Sequence, residues 1–224
     1  MEPILSCKNL YYIYKGTVDT VALNVVSFDI YPQTSVALIG KSGSGKTTLL
    51  KCLEGLIEPT TGDIYYFNKL LAKYDKKELQ EFRLHKIGII NQDKNLIRFL
   101  NVKENIQLPM KFARFDKKKQ LERTKYLTER FGIIRYLDSY PDELSMGERQ
   151  RVGIAVALAN NPEIILADEP TGNLDVKNSK IVYELLLRTT EDEKRTVLIA
   201  THDINALNYF DKIIDLAKLK EKDE

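Results

Sequence analysis

The residues best placed by type and spacing to do chemistry are Gly40-Lys41-Ser42-Gly43-Ser44-Gly45-Lys46-Thr47, which satisfy G-x-x-x-x-G-K-[ST] at every fixed position. Three glycines let the chain curl so that successive backbone N–H groups converge on phosphate oxygens. In such a loop Lys46 reaches the terminal phosphates and Thr47 offers its hydroxyl to Mg²⁺. The segment from Thr48 onward reads as a helix whose positive N-terminal end faces the same anion.

Four further residues fit the handling of a terminal phosphate. Asp168 and Glu169 follow the apolar run Ile164-Ile165-Leu166-Ala167. An aspartate at such a strand end is the expected partner of Mg²⁺ and of Thr47. Glu169 beside it can orient or deprotonate an attacking water, as a general base does. His202, just past the run Thr196-Val197-Leu198-Ile199-Ala200, can contact the γ-phosphate and that water. Gln92 ends Ile89-Ile90-Asn91; its amide oxygen suits Mg²⁺ and its nitrogen suits water.

A second anion site is written into Leu144-Ser145-Met146-Gly147-Glu148-Arg149-Gln150. Ser145 and Glu148 form an S-x-x-E capping box that opens a helix. Its hydroxyl can accept from the helix and still donate outward, so the capped end can receive an anion. One chain already has its phosphate loop elsewhere. The second site therefore predicts a dimer in which Ser145 and Gly147 close on the partner's nucleotide.

The elements that must hold these residues follow from hydropathy period. The run Ser35-Val36-Ala37-Leu38-Ile39 and those before Asp168 and Thr201 are apolar throughout, as parallel strands buried on both faces are. Alternating strands and helices predict an α/β fold with a parallel sheet and a ligand at the strand carboxyl ends. Residues 3–31 carry short β-type runs, with Val26, Phe28 and Ile30 alternating as in a half-buried antiparallel strand. Residues 63–67 read as a further strand after a turn at Glu58 to Gly62. From 93 to 160 the character turns helical, over 102–110, 116–131, 133–137 and 147–160, as an inserted subdomain. Residues 177–190 form a helix with Ile181, Val182, Leu185 and Leu186 on one side. Residues 218–224 read as a charged, frayed tail.

Composition bounds the rest. The chain has 224 residues, 43% apolar and 29% charged, with a net charge of +2, which marks an ordinary globular protein and gives no sign of a nucleic-acid binder. Cys7 and Cys52 lie far apart without metal-ligand spacing and read as reduced, packed thiols. Met1-Glu2-Pro3 opens no signal-peptide pattern and no run is long enough to span a bilayer. A membrane role is expected to come through a partner.

Taken in order, these motifs resemble those of the ATP-binding cassette (ABC) transporter ATPases over nearly the whole chain. The resemblance implies a P-loop NTPase core with a parallel sheet and an antiparallel β subdomain (1–92 and 161–224), and an α-helical subdomain (93–160) carrying the signature. It implies Tyr14 as the adenine-stacking aromatic, residues 40–48 as the phosphate cradle, Gln92 as the Q-loop, Ser145 and Gly147 as contacts to nucleotide, and Asn173-Leu174-Asp175 as the D-loop. It also implies ATP and Mg²⁺ as ligands, with Thr47, Gln92 and Asp168 around the metal and Lys46, Gln92, Glu169 and His202 in hydrolysis. Expected partners are a second ATPase subunit, identical or not, and a transmembrane permease, at the cytoplasmic face of the membrane. Residues 93–110, including Leu96, Phe99 and Leu100, are the expected docking surface.

Within the family, residues 167–175 and 104–110 are similar to the lipoprotein-releasing and macrolide-exporter type. Two positions depart from the pattern. Met146 stands where the family has glycine and is expected to slow hydrolysis without abolishing it, and Asn91 stands where the subfamily has an aromatic. A soluble ATP-gated clamp on nucleic acid or ribosomes, and a regulatory cassette in a heterodimer, are the alternative readings.

Overall fold

The computed structural model describes residues 1–91, 96–172 and 174–220. Gln92 and Asn173 lie outside the described residues. The chain begins with β1 (Leu5–Tyr14), β2 (Thr20–Ile30) and β3 (Ser35–Ile39), followed by α1 (Lys46–Leu53), β4 (Thr61–Tyr66) and β5 (Lys69–Leu70). Then come α2 (Lys76–Lys86), β6 (Ile87–Ile90), α3 (Val102–Phe112), α4 (Lys117–Arg130) and α5 (Met146–Ala157). The last part holds β7 (Ile164–Asp168), α6 (Val176–Glu193), β8 (Thr196–Ala200), β9 (Lys212–Asp215) and α7 (Leu216–Lys220).

Two sheets result. One is antiparallel, in the order β2-β1-β4-β5, and the other runs β6-β7-β8-β3-β9 with all its pairings parallel. The apolar runs occupy the middle of the parallel sheet because both of its faces are covered. Alternation within each strand sorts the side chains between two cores. Ile164, Leu166, Leu198 and Ala200 join α1 and the antiparallel sheet through Leu49, Leu53, Leu10 and Val26. Ile165, Ala167, Val197 and Ile199 join the helices through Ile106, Leu127, Ile154 and Leu186. Each fully buried Leu or Ile contributes about 1.5–3 kcal/mol. The sheet is therefore held from both sides, and the loops at its carboxyl edge inherit that rigidity.

Local signals set the helix starts. Asp75, Asn101, Asp116, Ser145 and Asp175 each accept a backbone N–H from the first turn of the helix they precede. The helix after the phosphate loop begins at Lys46, two residues earlier than its apolar pattern suggests, because Gly45 takes the left-handed turn with φ of 100°. The tail differs from expectation: Lys218 belongs to α7, whose Leu216 is fully buried. Strand β9 had too few apolar residues among its charged neighbours to be legible. Cys7 and Cys52 are buried free thiols, and burial pushes Cys52 up to about 12.

Glu54, directly after α1, is only 4% exposed. Burial, reinforced by the nearby Asp168 carboxylate, raises its pKa from 4.5 to about 7. The unfolded carboxyl ionises near the lower value and the folded one near the higher. The stabilising contribution of the neutral Glu54 carboxyl is therefore full below pH 4.5 and is lost as pH rises through about 7. Glu54→Gln is expected to stabilise the fold at pH 8 by on the order of 1–3 kcal/mol, with little gain at pH 4.5. Thermal melts at the two pH values check this; equal gains at both would show that charge is not the cause.

Candidate active site

The carboxyl ends of β3, β7 and β8 bring the expected residues to one edge of the sheet. Residues 40–47 bridge β3 to α1, and Lys46 Nζ donates to the carbonyls of Gly40 at 2.8 Å and Lys41 at 3.4 Å. Gly45 is required twice over. Its φ is left-handed, and a Cβ there would stand 2.2 Å from the Ala22 carbonyl oxygen of β2. That close approach sets the antiparallel sheet against the loop.

An open cleft of about 510 Å³ lies over the loop, walled by Ser42, Gly43, Ser44, Gly45, Lys46, Thr47 and Thr48, by Asp168 and Glu169, and by Tyr14 with Thr20 to Ala22. Tyr14, 43% exposed at the end of β1, shares a hydrogen bond with Thr48 Oγ1 at 3.2 Å. Its ring meets Tyr12 edge-on, with centroids 4.8 Å apart, which holds one aromatic face at the mouth of the cleft.

Thr47 Oγ1 donates to Asp168 Oδ2 at 2.8 Å. Burial raises the Asp168 pKa, while the Thr47 bond pulls it back down. A hydroxyl and a carboxylate converging in this way form an all-oxygen donor pair, the kind a hard divalent cation takes. The residues therefore fit Mg²⁺. Glu169 follows with φ of 44°, a left-handed conformation unusual for a side chain of its size. Backbone strain of this kind gathers where geometry serves chemistry. Its carboxylate stands 3.2 Å from His202 Nδ1 and 3.9 Å from Lys46 Nζ. One carboxylate thus faces both the phosphate-binding cation and an imidazole.

Ser145 and Gly147 are not walls of this cleft among the described residues. They start α5, and a Cβ on Gly147 would stand 2.9 Å from Asn178 Oδ1 in the first turn of α6. The capping box is present, but the serine proton goes inward: Ser145 Oγ donates to Glu148 Oε2 at 2.7 Å, where sequence reasoning had it pointing outward. Glu148 also accepts from the Tyr136 hydroxyl. The Tyr136 bond, followed by those from Ser145, holds the Glu148 carboxyl down at about 2. Met146 is the first helical residue and does not take a positive φ. The backbone of this chain therefore needs no glycine there. Its side chain, 46% exposed, matters for what can approach.

Sequence reasoning missed Tyr183 and Thr171, which are buried beneath the site and bonded to each other at 3.0 Å. Tyr183 stands next to Val182 on the buried stripe of α6, and helical period marks it only as core. Among the described residues no helix is long and apolar enough to cross a membrane.

Comparison with known proteins agrees with this geometry. The family described as ABC transporter matches residues 23–172. An ABC transporter ATP-binding protein of Methanocaldococcus jannaschii, MJ1508, is 40% identical over 95% of this chain and 95% of its own. The lipoprotein-releasing system ATP-binding protein LolD of Buchnera aphidicola is 39% identical over 89% of this chain and 88% of its own. Among solved structures, the dimeric post-hydrolysis state of the ATP-binding cassette MJ0796 bound to ADP and Pi superposes with a TM-score of 0.87 at 37% identity, covering 94% of this chain and 93% of that one. With a phosphate loop, a strand-end carboxylate pair and a capped signature helix in a fold of this kind, the chain belongs to the ABC transporter family as an ATP-binding, ATP-hydrolysing subunit.

Proposed function

We propose that each ATP is held between two cassettes and that its hydrolysis drives a separate membrane permease from the cytoplasmic side. In this reading Tyr14 stacks on the base, and the backbone of residues 40–48 and Lys46 bind the phosphates. Thr47 and Asp168 would hold Mg²⁺, joined by Gln92; the ion, when bound, neutralises charge on the phosphate oxygens. Glu169 takes a proton from the attacking water, and His202 holds the water and the γ-phosphate in line. The observation that carries the reading is the Glu169 to His202 contact at 3.2 Å, made beside the Thr47 to Asp168 bond. Base and metal ligands are neighbours in the fold itself, which lowers the cost of organising the site.

The partner's Ser145 and Gly147 would close the open side of the cleft. Binding draws the pair together, and hydrolysis with product release lets it reopen. The dimeric state of the MJ0796 cassette supports this arrangement. We assign the RecA-like core and antiparallel sheet to 1–92 and 161–224, and the helical subdomain to 93–160.

For the permease, the segment after Gln92 narrows to Phe99, which is 80% exposed, whereas Val102, Ile106 and Met110 of α3 are spent on the helical core. Asn105 pins that segment: its amide donates to the carbonyls of Ile97, Leu100 and Asn101 and accepts from the Ile97 N–H. Fractionation of cells making the chain at native levels tests the assignment. Recovery with membranes, lost in Phe99→Glu while ATPase activity of the purified chain persists, is expected. Recovery with ribosomes or nucleic acid overturns it.

A further inference from the structure

Two loops carry the groups that act on the water, and neither side chain is fixed by packing alone. His202 is 67% exposed and Glu169 is 23% exposed. Their separation is set by the backbone beneath them. The turn after Glu169 is closed by Gly172 N–H to the Glu169 carbonyl at 3.1 Å and by Leu174 N–H to the Thr171 carbonyl at 3.0 Å. The loop of His202 is fastened to the sheet by Thr201 N–H to the Leu38 carbonyl at 3.0 Å.

Between the two lies a chain of buried hydroxyls. Thr171 Oγ1 donates to Tyr183 Oη at 3.0 Å, and Tyr183 Oη pairs with Thr201 Oγ1 at 2.8 Å. Having accepted from Thr171, the phenol keeps its own proton for Thr201. Thr201 Oγ1 also accepts the Asp203 N–H at 3.0 Å, so the bridge grips the loop on both sides of His202. Tyr183 is 2% exposed, with its ring edge-on to Phe210 at 6.1 Å between centroids.

We propose that Tyr183 is a positioning residue for hydrolysis: its hydroxyl cross-links the turn that follows Glu169 to the loop that carries His202, and so fixes the distance between the two. This rests on the roles assigned to Glu169 and His202 above. Tyr183 is no wall of the cleft over the 40–47 loop. Its loss therefore affects the chemical step and spares nucleotide binding. Phenylalanine at 183 fills the ring space but leaves Thr171 and Thr201 to find other partners, and small displacements at a reacting centre cost large factors in rate.

Steady-state ATPase kinetics on the purified full chain test this. Tyr183→Phe is expected to lower kcat about tenfold with KM for ATP within about twofold, and Thr201→Val, which breaks the same bridge from its other end, gives the same split. Tyr66→Phe is the control. It deletes an equally buried hydroxyl bond, to the Leu53 carbonyl at 2.9 Å, and keeps kcat within about twofold of wild type. The proposal is overturned if Tyr183→Phe leaves kcat unchanged, if KM rises as much as kcat falls, or if Tyr66→Phe is equally slow. His202→Ala, run in parallel, separates the two failures. If it is slow while Tyr183→Phe is not, only the bridge is wrong; if it too turns over normally, the reading of His202 fails and the bridge falls with it.

Discussion

Glu169→Gln is expected to lower ATP turnover at least about 100-fold while converting the chain from monomer to dimer in MgATP. The substitution is nearly isosteric, so contact with His202 at the end of β7 is retained. What it removes is basicity and charge. An amide cannot take the proton of the attacking water, and positioned proton transfer is worth about 10²–10⁴-fold. The lost charge acts in the opposite direction on binding. Asp168 and Glu169 are adjacent, and the Glu169 carboxylate favours the neutral form of Asp168. A γ-phosphate brought against two carboxylates meets repulsion that one carboxylate and an amide do not offer. With hydrolysis blocked and the repulsion relieved, the closed state is expected to persist. Size-exclusion chromatography with MgATP, beside a phosphate-release assay, reads both effects. Wild-type turnover in the variant would mean that another group is the base. A variant that stays monomeric would remove the support for a shared site.

The parts of this site that were legible in the sequence are those whose physics is local. Residues 40–47 announce themselves because a phosphate cradle needs glycine at fixed intervals, and β3, β7 and β8 because a strand covered on both faces has no polar side to show. The capping box at Ser145 and Glu148 was equally local, and it is present. The direction of that serine's proton was not legible, since it depends on Tyr136, in the turn at 134–136, fixing Glu148. Non-local pairings were invisible for the same reason. Glu193 at the end of α6 gathers Arg123 and Arg130 of α4, and Arg195 just before β8, into one charge cluster. Tyr183 reads as core in the sequence, whereas its hydroxyl lies between Thr171 and Thr201. Neither α6 alone nor any period along it carries that information. Glu54 belongs with them: at the end of α1 it reads as a solvated acid, and only the fold places it behind Asp168.

Lys46→Ala and Ser145→Arg should each abolish turnover alone and restore it when mixed. The geometry gives the reason. Lys46 stands on the 40–47 loop within 3.9 Å of Glu169, so it serves the nucleotide of its own chain. Ser145 stands at the start of α5 and is no wall of that cleft among the described residues, as the proposed service to a neighbour's nucleotide requires. In a two-fold pair of identical variants, every site lacks one of the two groups. In a mixed pair one site lacks both and the other lacks neither. Random association makes about half of the pairs mixed, each with one intact site, so an equimolar mixture should recover about a quarter of wild-type activity. Ser145→Arg gives up a helix cap worth about 1 kcal/mol, and a thermal melt shows whether the variant remains folded before mixing. Folded variants that fail to complement would place Ser145 outside the partner's site, and the cleft over residues 40–47 would then have to work within a single chain.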